Sequence, residues 1–252
     1  MSGKDGVARR KPVNIKFSAK TDVGKKRKLN EDSFCAAGDL GLFLVADGMG
    51  GHLAGEIASQ IAVEITKMSL SDWLKKGPPN SEIFVKAIQL ANKGVFEMAE
   101  KGQGMKGMGT TIAGILICNG GFATANVGDS RIYRIRNNSI EQLSKDHSMV
   151  SMQLSMGLIT AEEAKKSAYK NVITRAIGTA QAVEVDTRDE EAMKDDVILI
   201  CSDGLSSLAE DKDMLDIINR CNDLDNACEE LIGLANFNGG DDNITTVLVK
   251  FS

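Results

Sequence analysis

Four short apolar segments of this chain run into, or start from, an aspartate beside a glycine. They are Val45-Ala46-Asp47-Gly48, Asn126-Val127-Gly128-Asp129, Cys201-Ser202-Asp203-Gly204 and Gly240-Asp241-Asp242-Asn243. A fifth acidic pair, Glu31-Asp32, opens the strand-like residues 33–37. A single Asp-Gly is ordinarily a turn. Four or five of them, each at the end of a separate apolar strand, are not accounted for that way. A carboxylate at a strand end is held by a rigid scaffold yet faces a cleft, and the neighbouring glycine lets the backbone approach a ligand closely. Carboxylates that converge without a counter-charge repel one another, so the pattern calls for a cation among them.

The available donors choose the cation. The chain has only two histidines, His52 and His147, and its five cysteines form no CxxC pair, so a tetrahedral zinc site has little to build from. Aspartate oxygens and a backbone carbonyl suit Mg²⁺ or Mn²⁺. No twelve-residue loop of alternating acids is present for calcium. Two such ions about 3.5–4 Å apart are the usual device for hydrolysing phosphate esters.

The strands that carry these acids are expected in antiparallel hairpins. Residues 40–46 read as a buried strand that halts at Asp47-Gly48, followed by a helix with Ile57, Ile61, Ile65 and Met68 on one face. After the Gly77-Pro78-Pro79-Asn80 turn, Ser81 is expected to cap a second helix with Phe84, Ile88, Ala91, Val95 and Met98 inward. Strands are expected over 110–118, 122–127, 131–136 and 139–143, with turns at Asn119-Gly120-Gly121 and Asn137-Asn138. A strand over 197–201, helices near 211–220 and 225–235, and a strand over 243–250 complete the chain. Helix pairs alternating with hairpins argue for an α+β fold rather than a doubly wound parallel sheet. Gly102, Gly104 and Gly107 match GxGxxG, but they follow a helix and precede a strand, the reverse of a dinucleotide fingerprint.

At 252 residues the chain suits one large domain, and no apolar run approaches the roughly 18–20 residues of a membrane span. Scattered, mostly core-like cysteines suggest a reducing compartment, and a cytoplasmic location is expected. The net charge of −5 hides a basic start: residues 1–28 hold ten Lys and Arg against two Asp. No aromatic residues are interleaved with these bases, so a nucleic-acid partner is not expected. Residues 1–15 are read as a basic arm ahead of a domain spanning 16–252.

Read in order, the motifs Arg27-Lys28-Leu29-Asn30-Glu31-Asp32, Val45-Ala46-Asp47-Gly48-Met49-Gly50-Gly51-His52, Met108-Gly109-Thr110-Thr111, Val127-Gly128-Asp129-Ser130-Arg131, Asp146-His147, Thr174-Arg175-Ala176-Ile177-Gly178, Ser202-Asp203-Gly204-Leu205 and Asp242-Asn243-Ile244-Thr245 resemble one family. It is the metal-dependent protein phosphatases of the 2C (PPM) type, in their compact bacterial form. The resemblance covers roughly residues 20–250. It implies a β-sandwich of two antiparallel sheets flanked by helix pairs, with the metals at one end. The implied activity is hydrolysis of phosphoserine and phosphothreonine in proteins by a metal-bridging water, with a Ser/Thr kinase as the natural counterpart and a monomeric chain.

Carried over residue by residue, the resemblance has Asp47 bridge two Mn²⁺ or Mg²⁺ ions, one of them also bound by the Gly48 carbonyl. Asp203 and Asp242 complete the second ion's shell; Asp242 rather than Asp241 is chosen because it directly precedes the Asn. Asp129 matches the acid that, with Asp203, holds a third, weaker ion in bacterial members. Glu31 and Asp32 act on metal-bound waters. Arg27 matches the arginine that clamps the substrate phosphate, and His52 is the candidate general acid, set three residues later than in the animal pattern. His147 reads as a structural hydrogen-bonding residue. Residues 148–170, with Met149, Met152 and Met156, are expected as a flap that governs protein-substrate choice. Two other readings stand beside this one: a phosphoprotein-binding module without turnover, and a hydrolase of small phosphoesters.

Overall fold

Continuous apolar runs such as residues 42–46 and 197–201 mark strands with neither face left to water. The computed structural model, which describes residues 14–50, 53–101, 105–118 and 120–252, shows what covers them. One sheet runs in the order β1 (Ile15–Asp22), β11 (Ile244–Phe251), β10 (Val197–Cys201), β7 (Arg131–Arg136) and β8 (Ser139–Gln142). The other runs β2 (Asp32–Ala37), β3 (Leu42–Met49), β5 (Ile112–Cys118), β6 (Gly121–Val127) and β9 (Asp186–Glu191), with the two-residue β4 (Gly109–Thr110) added to β3. The strand pairs are antiparallel throughout.

Alternation along each strand divides the core into three layers. Phe43, Val45, Ala113, Ile115 and Phe122 of one sheet meet Ile132, Ile198, Ile200, Val247, Val249 and Phe251 of the other, and the Phe122 and Phe251 rings stack at 5.7 Å. The opposite faces are covered by helices. Leu42, Leu44, Ala46, Ile112 and Leu116 pack under α1 (Leu53–Trp73) and α2 (Ser81–Lys101). Tyr133, Ile135, Leu199 and Leu248 pack under α6 (Asp211–Arg220) and α7 (Leu224–Phe237). Each fully buried large side chain contributes about 1.5–3 kcal/mol, so the strand ends that carry the acids are anchored in the most costly part of the molecule to deform. The architecture is the expected α+β sandwich.

Several local details differ from the sequence reading. β3 does not halt at Asp47-Gly48 but continues to Met49, because Gly48 and Met49 pair with Thr110 and Gly109. The run 110–118 is broken at Thr111, whose N–H reaches the Asp47 carbonyl of β3 between the two short ladders that β4 and β5 make with that strand. Asn80, not Ser81, caps α2, its Oδ1 accepting the Ile83 N–H at 2.9 Å. Met68 and Met98 lie outside the helix faces assigned to them, 64% and 43% exposed. α1 buries Ala54, Ala58, Ala62 and Leu70, while Ile61 and Ile65 lie over Gly94 of α2. β9 was not expected at all, since Asp-Thr-Arg-Asp-Glu-Glu holds no apolar residue. It is paired on one side only, at the edge of its sheet, where such a sequence is tolerated. The Asn137-Asn138 turn is as read, both residues at positive φ. Segment 148–170 forms two short helices, α3 (Met149–Ser155) and α4 (Ala161–Lys166). The arm is largely, and Gly102, Gly104 and His52 are wholly, outside the described residues.

Candidate metal centre

The registers bring the acids to one end of the sandwich. Asp32 opens β2 directly opposite Asp47 near the end of β3. Asp203 follows β10 as the first residue of α5 (Asp203–Ser206), Asp242 precedes β11, and Asp129 follows β6. Between β10 and β11 the ladder joins Cys201 to Thr246, so Asp203 and Asp242 lie beyond the same end of these two strands.

Their charges oppose one another. Burial pushes the Asp47 carboxyl well above its usual range, and Asp32, Asp203, Asp129 and Asp242 all push it further. Burial likewise raises Asp203, with Asp242 adding to it. Asp32 is pushed up to about 7 by burial, against the pull of hydrogen bonds from Thr245 and Ser202. Asp129 is pushed up to about 7 by burial and by Asp203 and Asp146. Two oxygens of this group, Asp32 Oδ1 and Asp203 Oδ1, are buried without a hydrogen-bond partner. A native fold rarely leaves such atoms orphaned unless something else satisfies them. Among the described residues no three of these side chains draw together into a closed cage. Asp47 and Asp203 share a hydrogen bond, and it is the shared field and the orphaned oxygens that mark the site.

Neighbouring residues hold the acids from behind. Thr245 Oγ1 and Ser202 Oγ donate to Asp32 Oδ2 at 2.6 and 2.8 Å. Thr111 Oγ1 accepts the Asp47 N–H at 2.9 Å, while Thr110 Oγ1 donates to the Asp47 carbonyl at 2.8 Å. Gly48 admits no side chain: a methyl there would overlap the carbonyl oxygens of Gly55 and Glu31. Glu31 shares this crowded corner, its carboxylate lying against Gly55 in the first turn of α1.

Arg27 is the cation at the rim. Its Nη2 donates to Asp242 Oδ2 at 2.7 Å, and Asp242, Glu31 and Asp47 hold its proton more tightly against the loss of hydration. Asp241, the rejected alternative, instead pairs with Lys26 at the surface. The loop that carries Arg27 and Glu31 is pinned by Asn243. Its Nδ2 donates to the Val23 and Leu29 carbonyls, and its Oδ1 accepts the Glu31 N–H. Asn243, Ser202, Thr245 and Thr111 all lie in motifs noted above, yet no supporting role was read for them. Asn243 and Ser202 adjoin Asp242 and Asp203 in sequence, a local signal; Thr245 and Thr111 adjoin no acid and offered none.

The set of donors fits hard divalent cations such as Mn²⁺ and Mg²⁺: carboxylate and carbonyl oxygens, with every described cysteine a free thiol. The sequence model of protein phosphatase 2C matches residues 24–234. The chain belongs to the protein phosphatase 2C family. As a 2C phosphatase it is a protein serine/threonine phosphatase, a hydrolase of phosphoric monoesters. It is 37% identical over 246 residues to the serine/threonine phosphatase Stp of Listeria welshimeri, covering 92% of this chain and 94% of the relative. The crystal structure of the Mycobacterium tuberculosis serine/threonine phosphatase PstP/Ppp superposes with a TM-score of 0.88 at 33% identity, over 94% of this chain and 99% of that one. A PstP catalytic domain in complex with two manganese ions superposes at 0.82 and 32% identity, over 94% and 97% of the two chains. Among the described residues no helix of this 2C phosphatase is long and apolar enough to cross a membrane.

Proposed function

We propose that this phosphatase acts on phosphoserine and phosphothreonine in proteins at the Asp47 end of the sandwich, with two divalent ions, Mn²⁺ or Mg²⁺. One observation carries the reading: four acids press on Asp47, and two of them, Asp32 and Asp203, each keep a buried oxygen without a partner. Asp47 and the Gly48 carbonyl, with Asp203 and Asp242, would hold the ions. When bound, the ions activate a water and neutralise the phosphoryl oxygens. Arg27 uses only one nitrogen on Asp242, which leaves the rest of its planar fork to orient a phosphate. Glu31 and Asp32 order water beside the ions. His52 protonates the leaving serine or threonine oxygen. The natural setting of this reading is a monomer in the cytoplasm, opposed by a Ser/Thr kinase, with no nucleic acid involved. The test is Mn²⁺-dependent phosphate release from phosphothreonine and phosphotyrosine peptides beside a chromogenic aryl phosphate. Preferred turnover of the phosphothreonine peptide is expected, and release that ignores Mn²⁺ would overturn the reading.

Asp129 is assigned, with Asp203, to a third and weaker ion. Asp129→Ala is expected to lower kcat at saturating Mn²⁺ while the two tighter binding events remain. Wild-type kcat in that variant, measured across a Mn²⁺ titration, removes the third-ion role.

Segment 148–170 is assigned to protein-substrate choice. α3 buries no residue, and Met152, Met156 and Leu158 are 40%, 63% and 68% exposed. Exposed methionines adapt to varied partners and add little to a core. Met152→Ala and Met156→Ala should move the melting temperature by no more than about 2 °C. They should change kcat/KM for a phosphoprotein and leave the aryl phosphate nearly untouched. Equal losses on both substrates, in step with melting temperature, would return the segment to a structural role.

A further inference from the structure

His147 is buried, 8% exposed, and is tied to Gly128 in both directions. The Gly128 N–H donates to His147 Nδ1 at 3.1 Å, and the His147 N–H donates to the Gly128 carbonyl at 2.9 Å. A neutral imidazole has one donor and one acceptor nitrogen. With Nδ1 accepting, the ring hydrogen is on Nε2, which faces Asp186 Oδ2 of β9 at 3.2 Å. Arg175 Nη1 donates to Oδ1 of the same carboxylate at 2.6 Å and lies 3.1 Å from Nε2, so Asp186 and Arg175 together bracket that edge of the ring. Both nitrogens are therefore used, one on the turn that leads into Asp129 and one on the edge strand.

The same residue closes the base of the segment that follows it. The Thr174 N–H donates to the His147 carbonyl at 2.8 Å, Ser148 bridges to Ile173, and the Met149 N–H donates to the Val172 carbonyl at 2.8 Å. The two ends of residues 148–174 are thus zipped together on His147. Gly128, at φ +108°, holds a backbone conformation that few other residues adopt, so the turn depends on partners of this kind to stay in place.

We propose that His147 is the positioning residue for Asp129, a clasp that joins the placement of that carboxylate to the base of the α3–α4 segment. The proposal rests on the metal role read above for Asp129. Groups that orient a metal-binding side chain from outside typically change affinity or activity by about 10- to 100-fold when removed.

Three substitutions separate positioning from bulk structure. His147→Asn offers an acceptor where Nδ1 lies, His147→Gln offers a donor where Nε2 lies, and His147→Ala offers neither. They are compared with Asp129→Ala and with the His147→Ala/Asp129→Ala double variant. The readouts are Mn²⁺ calorimetry, melting temperature, and kcat and KM on an aryl phosphate. His147→Ala is expected to weaken the last Mn²⁺ binding step and to lower kcat about 10- to 100-fold, with KM within about 2-fold of wild type. His147→Asn should recover most of both losses, and His147→Gln should not. The double variant should be no worse than Asp129→Ala alone, because both changes remove one function. Equal impairment of the Asn and Gln variants in step with melting temperature overturns the proposal alone, as does multiplication of the two losses in the double variant. An Asp129→Ala enzyme identical to wild type removes the reading of Asp129 and the proposal with it.

Discussion

Asp47→Ala and Asp203→Ala each lower kcat by at least about 1000-fold and weaken Mn²⁺ binding, while the chain remains folded. A 1000-fold loss corresponds to about 4 kcal/mol of transition-state stabilisation, the scale that bound cations contribute to a phosphoryl group. The fold survives because burial disfavours both carboxylates in their charged form: four neighbouring acids push Asp47 further up, and Asp203 keeps a buried oxygen without a partner. Removing either one relieves repulsion, so melting temperature in chelator is expected to stay level or rise. Calorimetry that finds Mn²⁺ affinity unchanged in both variants ends the assignment.

Without metal, stability falls as pH rises between about 5 and 7.5. Burial pushes Asp32 and Asp129 up to about 7 in the folded chain, against a usual 3.8. Between those values the folded state holds protons that the unfolded state has released, so each step up in pH favours unfolding. One displaced unit is worth about 1.4 kcal/mol, and the summed effect is on the order of several kcal/mol, or roughly 5–10 °C. Exposed acids with lowered values, such as Asp225 and Glu230, titrate below this window and do not cancel the slope. Mn²⁺ requires the deprotonated acids, so its addition should raise the melting temperature most at the upper end of the range. Thermal scans at several pH values, with chelator and with Mn²⁺, check both signs. A flat or rising curve in chelator contradicts the upward push on these carboxyls.

Strands such as β10 were legible because both of their faces are apolar; β7 and α6, read from alternation and helical spacing, also fall at the residues expected for them. β9 was not, because it has no apolar residue to announce a strand: it is held by pairing with β6 and by polar side-chain contacts to residues distant in sequence, such as Asp186 with Arg175 and Glu190 with Arg134. The exposed Met68 and Met98 show a related failure, in which helical spacing named a face that packing had rotated away. At the site, the choice of Asp242 over Asp241 followed from adjacency to Asn243, and the geometry gives that adjacency a cause: the Asn243 N–H donates to Asp242 Oδ1. The supports were harder to see. Ser202 and Thr245 reach Asp32 across 170 and 213 residues, and no local pattern announces a partner so distant.

Those separations also decide when the enzyme can first work. Arg27 meets Asp242 across 215 residues, and β1 completes its sheet only by pairing with β11. Contacts this distant form late, because the entropy of closing the chain must be lost before they return any stability. A chain emerging from the ribosome holds Asp32 and Asp47 early but lacks Asp203, Asp242 and β11 until about 200 residues later. It has no working site before β11 has been made. In refolding, catalysis is therefore a stricter signal of arrival at the native state than helix content or collapse, since it requires the first and last strands to have found each other.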